Sequence, residues 1–463
     1  MMREIILHDL LSNLKSARFI MGFLVAIVLF ILSGVLAAGD ARQAASDSFE
    51  QERMHDQWMR ENSSQLARLA IGRQKVFCPP SPLQFVSSGS DRLLPNSALV
   101  SAFGMWKAEA VTRANPLLRS RDALGWAFIV SVVLSFMAFS MTFDAFTGEK
   151  ESGTLRLVLS SGIPRRRLVL GKIAGAVLIL SLPLVAGTLV ALLVLSAAGT
   201  PIPGAGELAR LAMIVLCSLL YLSLFAAIGT LISSVVHRSA VSLVLCLIVW
   251  VVLVLIIPNL GGLLAQRFSP IDAEKTVQAA ADRAREEAWA AAPGRVWSCF
   301  GSDYNQPCFK ERADMQLRIV DDQMKIRDNY RLRQLHQADI ARRWANFSPT
   351  ALYRDLVSRA ANAGVSRWID FSQRVTEYRQ GLLEFVFLKD RLDDRSPHLI
   401  NPEEGFLFST KPVAAGEIPR FRYREPDAAE LIGRTIGDAG VLALLNVLLV
   451  MAAVVAFNRY DVR

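Results

Sequence analysis

The sequence predicts an all-α polytopic membrane protein with six transmembrane helices and a mostly helical extracytoplasmic domain, and three observations carry that prediction. Six stretches free of charge, at 19–38, 125–143, 173–198, 211–236, 239–258 and 439–457, reach spanning length, since the hydrocarbon core takes about 20 helical residues. Basic residues gather in the short segments on one side of these stretches. Two long charged segments, 39–124 and 259–438, interrupt the series.

Residues 1–18 place Ile6, Leu7, Leu10, Leu11 and Leu14 at helical spacing, with Arg3, Asp9, Ser12, Asn13 and Lys15 mostly on the other side. Such a segment reads as an amphipathic helix in the inner interface. The first apolar run is longer than the 7–15 residues of a secretory core, so it reads as a retained anchor despite the small residues near its end.

Orientation follows from short loops, where Lys and Arg are held on the inner side. The loop 144–172 carries Lys150, Arg156, Arg165, Arg166, Arg167 and Lys172, whereas the loop 199–210 carries Arg210 alone. The first is therefore cytosolic, as are the turn with His237 and Arg238, both termini, and the tail with Arg459 and Arg463. Segments 39–124 and 259–438 then lie outside. Basic flanks of spans account for the net charge of +9 (51 Lys and Arg against 42 Asp and Glu) without nucleic acid.

In the second outer segment, 307–347 has no Gly or Pro after its start and keeps Leu317, Val320, Met324, Leu332, Leu335 and Ile340 at rough three-four spacing. It predicts a helix of about 60 Å at 1.5 Å per residue. The Ala-rich run 271–292 is its antiparallel partner. A further helical stretch, 350–394, follows the break at Ser348-Pro349, its Trp368, Phe371, Tyr378, Phe385 and Phe387 reading as core. Residues 395–430 are rich in Pro, Gly and charge and read as a loop returning to the last span.

Cys217 and Cys246 lie in spans and read as small apolar residues. Cys78, Cys299 and Cys308 lie outside, where oxidation permits pairing. The short Gly/Pro-containing loop favours Cys299 with Cys308, with a bridge to Cys78 as the open alternative.

The sequence holds no nucleotide-cradling G-x-x-x-x-G-K-[ST], no G-x-G-x-x-G, no H-E-x-x-H, no G-x-S-x-G and no zinc spacing of Cys and His. No catalytic set or metal site is therefore predicted. Asp144, Glu149 and Glu151 stand close together beside basic residues at a membrane exit, and read as capping and interface charges.

The stretch 115–172 resembles the second-span and coupling region of ABC-2-type permeases, the membrane subunits of ABC exporters with the type V fold. The residues that carry the likeness are Asn115, Pro116, Asp122, Glu149 or Glu151, Gly153, Thr154, Leu155, Pro164, Arg165, Arg166, Gly171 and Lys172. Gly162 departs from the family pattern. The large outer insert, Ser348-Pro349 and the closing Arg459-Tyr460-Asp461 resemble a subgroup that includes permeases of nitrous-oxide-reductase maturation and gliding motility.

The resemblance implies a multi-pass subunit of the bacterial inner membrane that is not itself an enzyme. It pairs with a second permease copy or a sibling, and a separate cytosolic ATPase carries the ATP and Mg. That ATPase would be contacted through Glu149, Glu151, Gly153, Thr154, Leu155, Arg156, Pro164, Arg165, Arg166, Arg167, Lys172, His237 and Arg238. A membrane-anchored extracytoplasmic scaffold or sensor without ATP coupling is the alternative, and an extracytoplasmic partner protein fits either. Ionisable residues are sparse in the spans, which disfavours an ion-coupled carrier.

The topology predicts that single cysteines in a variant lacking the native ones label from outside at Ser90 and Asp393 and not at Ser161. Labelling of Ser161 by an impermeant reagent in intact cells would overturn the six-span orientation.

Overall fold

The computed structural model describes residues 13–86, 96–107, 125–160, 163–200, 203–299, 301 and 303–459. Six of its helices are long and apolar enough to cross a membrane. They are α1 (Ala17–Asn62), α3 (Trp126–Glu151), α5 (Arg165–Ala197), α6 (Ala205–Val235), α7 (Ser239–Phe268) and α12 (Ala428–Asn458). Each contains one of the six expected apolar runs, to within a residue at the run's ends. The end of the bundle where α1 starts and α12 stops is called here the near end, and the opposite end, which carries the large domain, the far end.

Helices α3 and α6 are the most enclosed, whereas α7 keeps most of its apolar surface open. Bundle packing relies on small residues, because lipid supplies no hydrophobic drive between helices. Gly34 of α1 lies against Ala191 and Val194 of α5, and a Cβ at Gly187 would meet the Phe30 ring at 2.0 Å. Phe30 in turn packs on Trp126 of α3, whose indole Nε1 donates to Thr188 Oγ1 at 3.1 Å. The missing side chain at Gly187 thus lets α1, α3 and α5 meet.

Two spans contain a wide π-helical stretch, Ile129–Leu134 in α3 and Val251–Ile256 in α7. Such turns loosen the regular ladder and leave carbonyls for other donors. The Ser131 carbonyl accepts from Tyr221 of α6 at 2.8 Å and from Ser135 Oγ at 2.7 Å, and the Leu253 carbonyl accepts from Ser348.

Beyond the bundle, α1 continues without a break to Asn62, about 69 Å at 1.5 Å per residue. Helix α2 (Leu66–Ile71) follows. Strands β1 (Gln74–Phe77), β2 (Ser97–Ser101) and β3 (Gly104–Lys107) then form an antiparallel sheet of order β1-β2-β3, with Gln74 opposite Val100 and Val100 opposite Met105. The extracytoplasmic part is expected to be mostly helical, so this sheet is a difference. Its strands are four or five residues long, too short for period-two alternation to stand out. What holds it is tertiary: Val76 and Val100 are buried against Phe371 and Val375, and Gln74 shares hydrogen bonds with Tyr378.

The second outer segment forms α8 (Glu274–Ala290), α9 (Pro307–Ala345), α10 (Pro349–Ala360) and α11 (Gly364–Arg391). Helices α8 and α9 are antiparallel partners as expected, with Gln323 donating to the Ala281 carbonyl and Arg333 paired with Asp272. The expected stretch 350–394 is two helices, because Asn362 (φ 50°) and Gly364 (φ 72°) turn the chain through the left-handed region. Residues 395–427 are mainly irregular. They close on α2, where Leu66 N donates to the Lys411 carbonyl and Ala67 N to that of Ser409. Lys411 and the Ser409 hydroxyl, each 2.6 Å from the buried Asp393 carboxylate, hold it down at about 2. A depressed carboxyl contributes its full stabilisation above its unfolded value, and that contribution falls away as pH drops from there through about 2.

Cys299 and Cys308 are joined by a disulfide, and Cys78 is buried under the sheet. The N-terminal amphipathic helix and Asn115, Pro116 and Asp122 fall on residues outside those described, apart from the chain just before α1, where Ser16 caps the first turn by accepting from Phe19 N.

Replacing Gly187 with Val forces Phe30 from its site, and the overpacking should cost about 1–3 kcal/mol. The purified membrane protein would then melt several degrees below wild type in detergent. Melting unchanged would show that α1 and α5 are not locked at Gly187.

Candidate functional site

Helix ends leave backbone amides and carbonyls without intrahelical partners, and at the near end the segment 143–165 supplies the partners for three spans. Helix α6 stops at Val235. Lys150 reaches the carbonyls of its last turn, donating to Ser234 at 2.6 Å, Val236 at 2.8 Å and Ser233 at 3.2 Å. A cation there also meets the negative end of the helix dipole. Helix α7 starts at Ser239, whose backbone N and hydroxyl both donate to the Glu151 carboxylate at 2.8 Å. Helix α12 stops at Asn458, and Arg165 donates to the Asn458 and Phe457 carbonyls at 2.8 and 3.4 Å.

The segment is itself held from outside. Where α3 leaves regular geometry after Phe143, the amides of Phe146 and Thr147 donate to one Ser233 hydroxyl at 2.9 and 3.1 Å. The Phe146 ring is fully buried, stacked on Phe457 at 4.2 Å, with Lys172 Nζ 5.5 Å over its face. Lys172 pairs with Glu149 at 2.7 Å, and Arg18 of α1 pairs with Asp144 at 2.6 Å. Residues 143–151 therefore touch the near ends of all five other spans.

Past Glu151 the chain reverses at Gly153, whose φ of +73° is a conformation glycine adopts freely. The reversal launches α4 (Thr154–Ser160). Leu155 is its buried anchor, lying with Phe146, Leu168 and Val169. Val158 and Leu159 pack half-buried on the same cluster, and the opposite side faces outward: Thr154 and Arg156 are exposed and Leu157 is 73% exposed. Pro164 then leads into α5, whose first turn exposes Arg166 and Arg167.

The chain matches the family model described as ABC-2 family transporter protein over residues 3–462, nearly its whole length. It belongs to the ABC-2 transporter family. No individual curated protein matches it significantly.

In this ABC-2 chain the residues singled out from sequence divide into two groups. Glu149, Glu151, Leu155, Arg165 and Lys172 bind their own chain, and Gly153 and Pro164 shape the backbone around α4. Arg156, Arg166 and Arg167 point outward, together with exposed His237 and Arg238 in the turn between α6 and α7. Sequence reasoning missed Phe146, Ser233, Phe457, the Arg18–Asp144 pair and the capping role of Lys150. Phe146 and Phe457 are 311 positions apart, and no local pattern marks two aromatic rings as partners. Lys150 did carry a signal, a lone cation between two acids directly after an apolar run.

Proposed function

We propose that this ABC-2 subunit is the permease of an ABC exporter, coupling ATP hydrolysis on a separate ATPase to export, or to movement of its far-end domain. The near end is then cytosolic, the membrane is the bacterial inner membrane, and ATP and Mg reside on the partner. A second permease copy or sibling completes the unit.

The observation that carries this reading is the division of the near-end segment into an inward half knitted to every span and an outward half that offers Arg156, Leu157, Arg166 and Arg167. An apolar side chain as exposed as Leu157, next to the exposed Arg156 on a helix anchored through Leu155, suits docking into a protein surface with acidic rims. Nucleotide binding shifts a conformational equilibrium only through contacts that differ between its states. Here a push on α4 would meet Leu155 and Phe146 first and pass through the caps to α6, α7 and α12. The unbroken α1 and α7 give such a displacement a path to the far domain.

Chain captured from native membranes should carry an ATPase subunit and hydrolyse ATP. Leu157→Asp removes an exposed anchor without disturbing Leu155, so the variant should insert normally yet bind the ATPase about tenfold or more weakly, the loss typical of an interface anchor. Association at wild-type strength in nanodiscs, for this variant and for Arg166→Glu, would refute the docking role and favour the scaffold or sensor reading.

A further inference from the structure

Helix α10 does not sit above the bundle but within it. Its Thr350 bonds Tyr221 Oη at 3.0 Å and its Tyr353 bonds Ser218 at 2.8 Å. Those partners lie seven and ten residues inside the apolar run of α6, about 10–15 Å below its far end at 1.5 Å per residue. Ser348 caps α10 by accepting from Thr350 N and Ala351 N while its hydroxyl donates to the Leu253 carbonyl in the π-helical part of α7. Five residues on, Tyr353 stacks on Tyr221 at 4.4 Å. The chain thus descends along α9, turns at Pro349 beside Leu253, and climbs back through the far-end half of the membrane.

This dipping helix carries three charges. Asp355 pairs with Arg359, and Arg359 also pairs with Asp438 at the head of α12. Arg354 is different. Its Nε donates to Ser131 Oγ at 2.8 Å and its guanidinium lies 6.0 Å over the Phe128 ring, both on α3, but no carboxylate among the described residues pairs with it. Ser131 is itself fixed, since its carbonyl is held by Tyr221 and Ser135. The guanidinium is therefore aimed by its Nε and by an aromatic face, and its two terminal nitrogens bond no protein acceptor among the described residues. It is half-buried, at the depth of Ser131, about 9 Å inside the apolar run of α3.

An ionisable group at membrane depth is costly unless it faces a pathway or has a counter-charge. A guanidinium with one edge anchored and the fork open matches the planar, two-oxygen geometry of phosphate and carboxylate. The exposed side chains of α7 are largely apolar, and Phe136 and Trp250 form an edge-to-face pair where α3 meets α7. We propose that Arg354 is a binding site for the anionic headgroup of an amphiphile in the far-end half of the membrane, the acyl chain lying along the apolar surface of α3 and α7. The site does not depend on the reading of α4 as an ATPase dock. The amphiphile is either a resident lipid or a transported molecule, which share this chemistry.

The test uses full-length protein in nanodiscs of phosphatidylcholine, titrated with dodecyl phosphate, with dodecyl phosphocholine and with inorganic phosphate, and read by thermal melting and by native mass spectrometry. Dodecyl phosphate should bind wild type and raise its melting temperature, and inorganic phosphate should not, because the site lies below the headgroup plane. Arg354→Gln should bind dodecyl phosphate roughly tenfold or more weakly, as loss of a charge-assisted pair predicts. Arg354→Lys, which keeps the charge but not the fork, should fall between. Retention of an endogenous anionic phospholipid through purification from native membranes would mark the resident-lipid source, whereas exchange driven by ATP would mark a transported one. Equal binding of anionic and zwitterionic detergents by wild type overturns the proposal even if Arg354→Gln does not fold, as does wild-type affinity in the Gln variant.

Discussion

Helix ends that stop at a membrane surface expose backbone groups, and in this protein the near ends of α6, α7 and α12 are closed by side chains from a single short stretch. Lys150 meets the carbonyls of α6, Glu151 the first amide of α7, and Arg165 the last carbonyls of α12. Charge-assisted bonds of this kind are worth about 1.5–3 kcal/mol each against roughly 1 for neutral ones. Capping also aligns each charge with the helix dipole that attracts it. The stretch cannot shift relative to the spans without leaving three helix ends open at once. That constraint makes the near end a block rather than a loop.

The far end is organised by the same logic with different chemistry. Two π-helical stretches leave carbonyls in α3 and α7, and hydroxyls meet them, that of Tyr221 on α6 at Ser131 and that of Ser348, which caps the inserted α10, at Leu253. Buried polar groups of this sort are tolerated because each has a partner. Rigid near-end caps and hydroxyl-filled far-end turns are joined by α1 and α7, which run from one to the other. A force applied at α4 therefore has a continuous covalent and packed route to the far domain, where α1 supports the sheet and α7 supports α9 through the close approach of Gly261 to Ala341 and Ala345.

Much of this was legible in the sequence because its signals are local. Charge-free runs mark the spans, the absence of Gly and Pro marks α9, and the positions of Gly153 and Pro164 bracket α4. The nine-residue separation of Cys299 and Cys308 pointed to the disulfide that the structure shows. Three features escaped. The sheet escaped because its strands are short and stabilised by α11, more than 250 positions away. The depth of α10 escaped because Ser348, Thr350 and Tyr353 read as an ordinary capped amphipathic helix until their partners in α6 and α7 are known. Arg354 escaped for the same reason, since an arginine in an outer segment looks solvated. At the near end, sequence identified the charged residues but not which were committed to the chain's own helix ends.

The claim that the near-end segment and the spans move as one block is tested most directly by the distance between spin labels at Ser160 on α4 and Val241 on α7. Pulsed dipolar measurements should be made with the ATPase bound, without nucleotide and with ATP trapped. The account predicts one narrow distance in both states for the wild-type background, and a broadened distribution when Lys150 is replaced by Met. A second population or a shifted distance on ATP trapping, in a protein with Lys150 intact, would show that the segment hinges on the bundle and would contradict it.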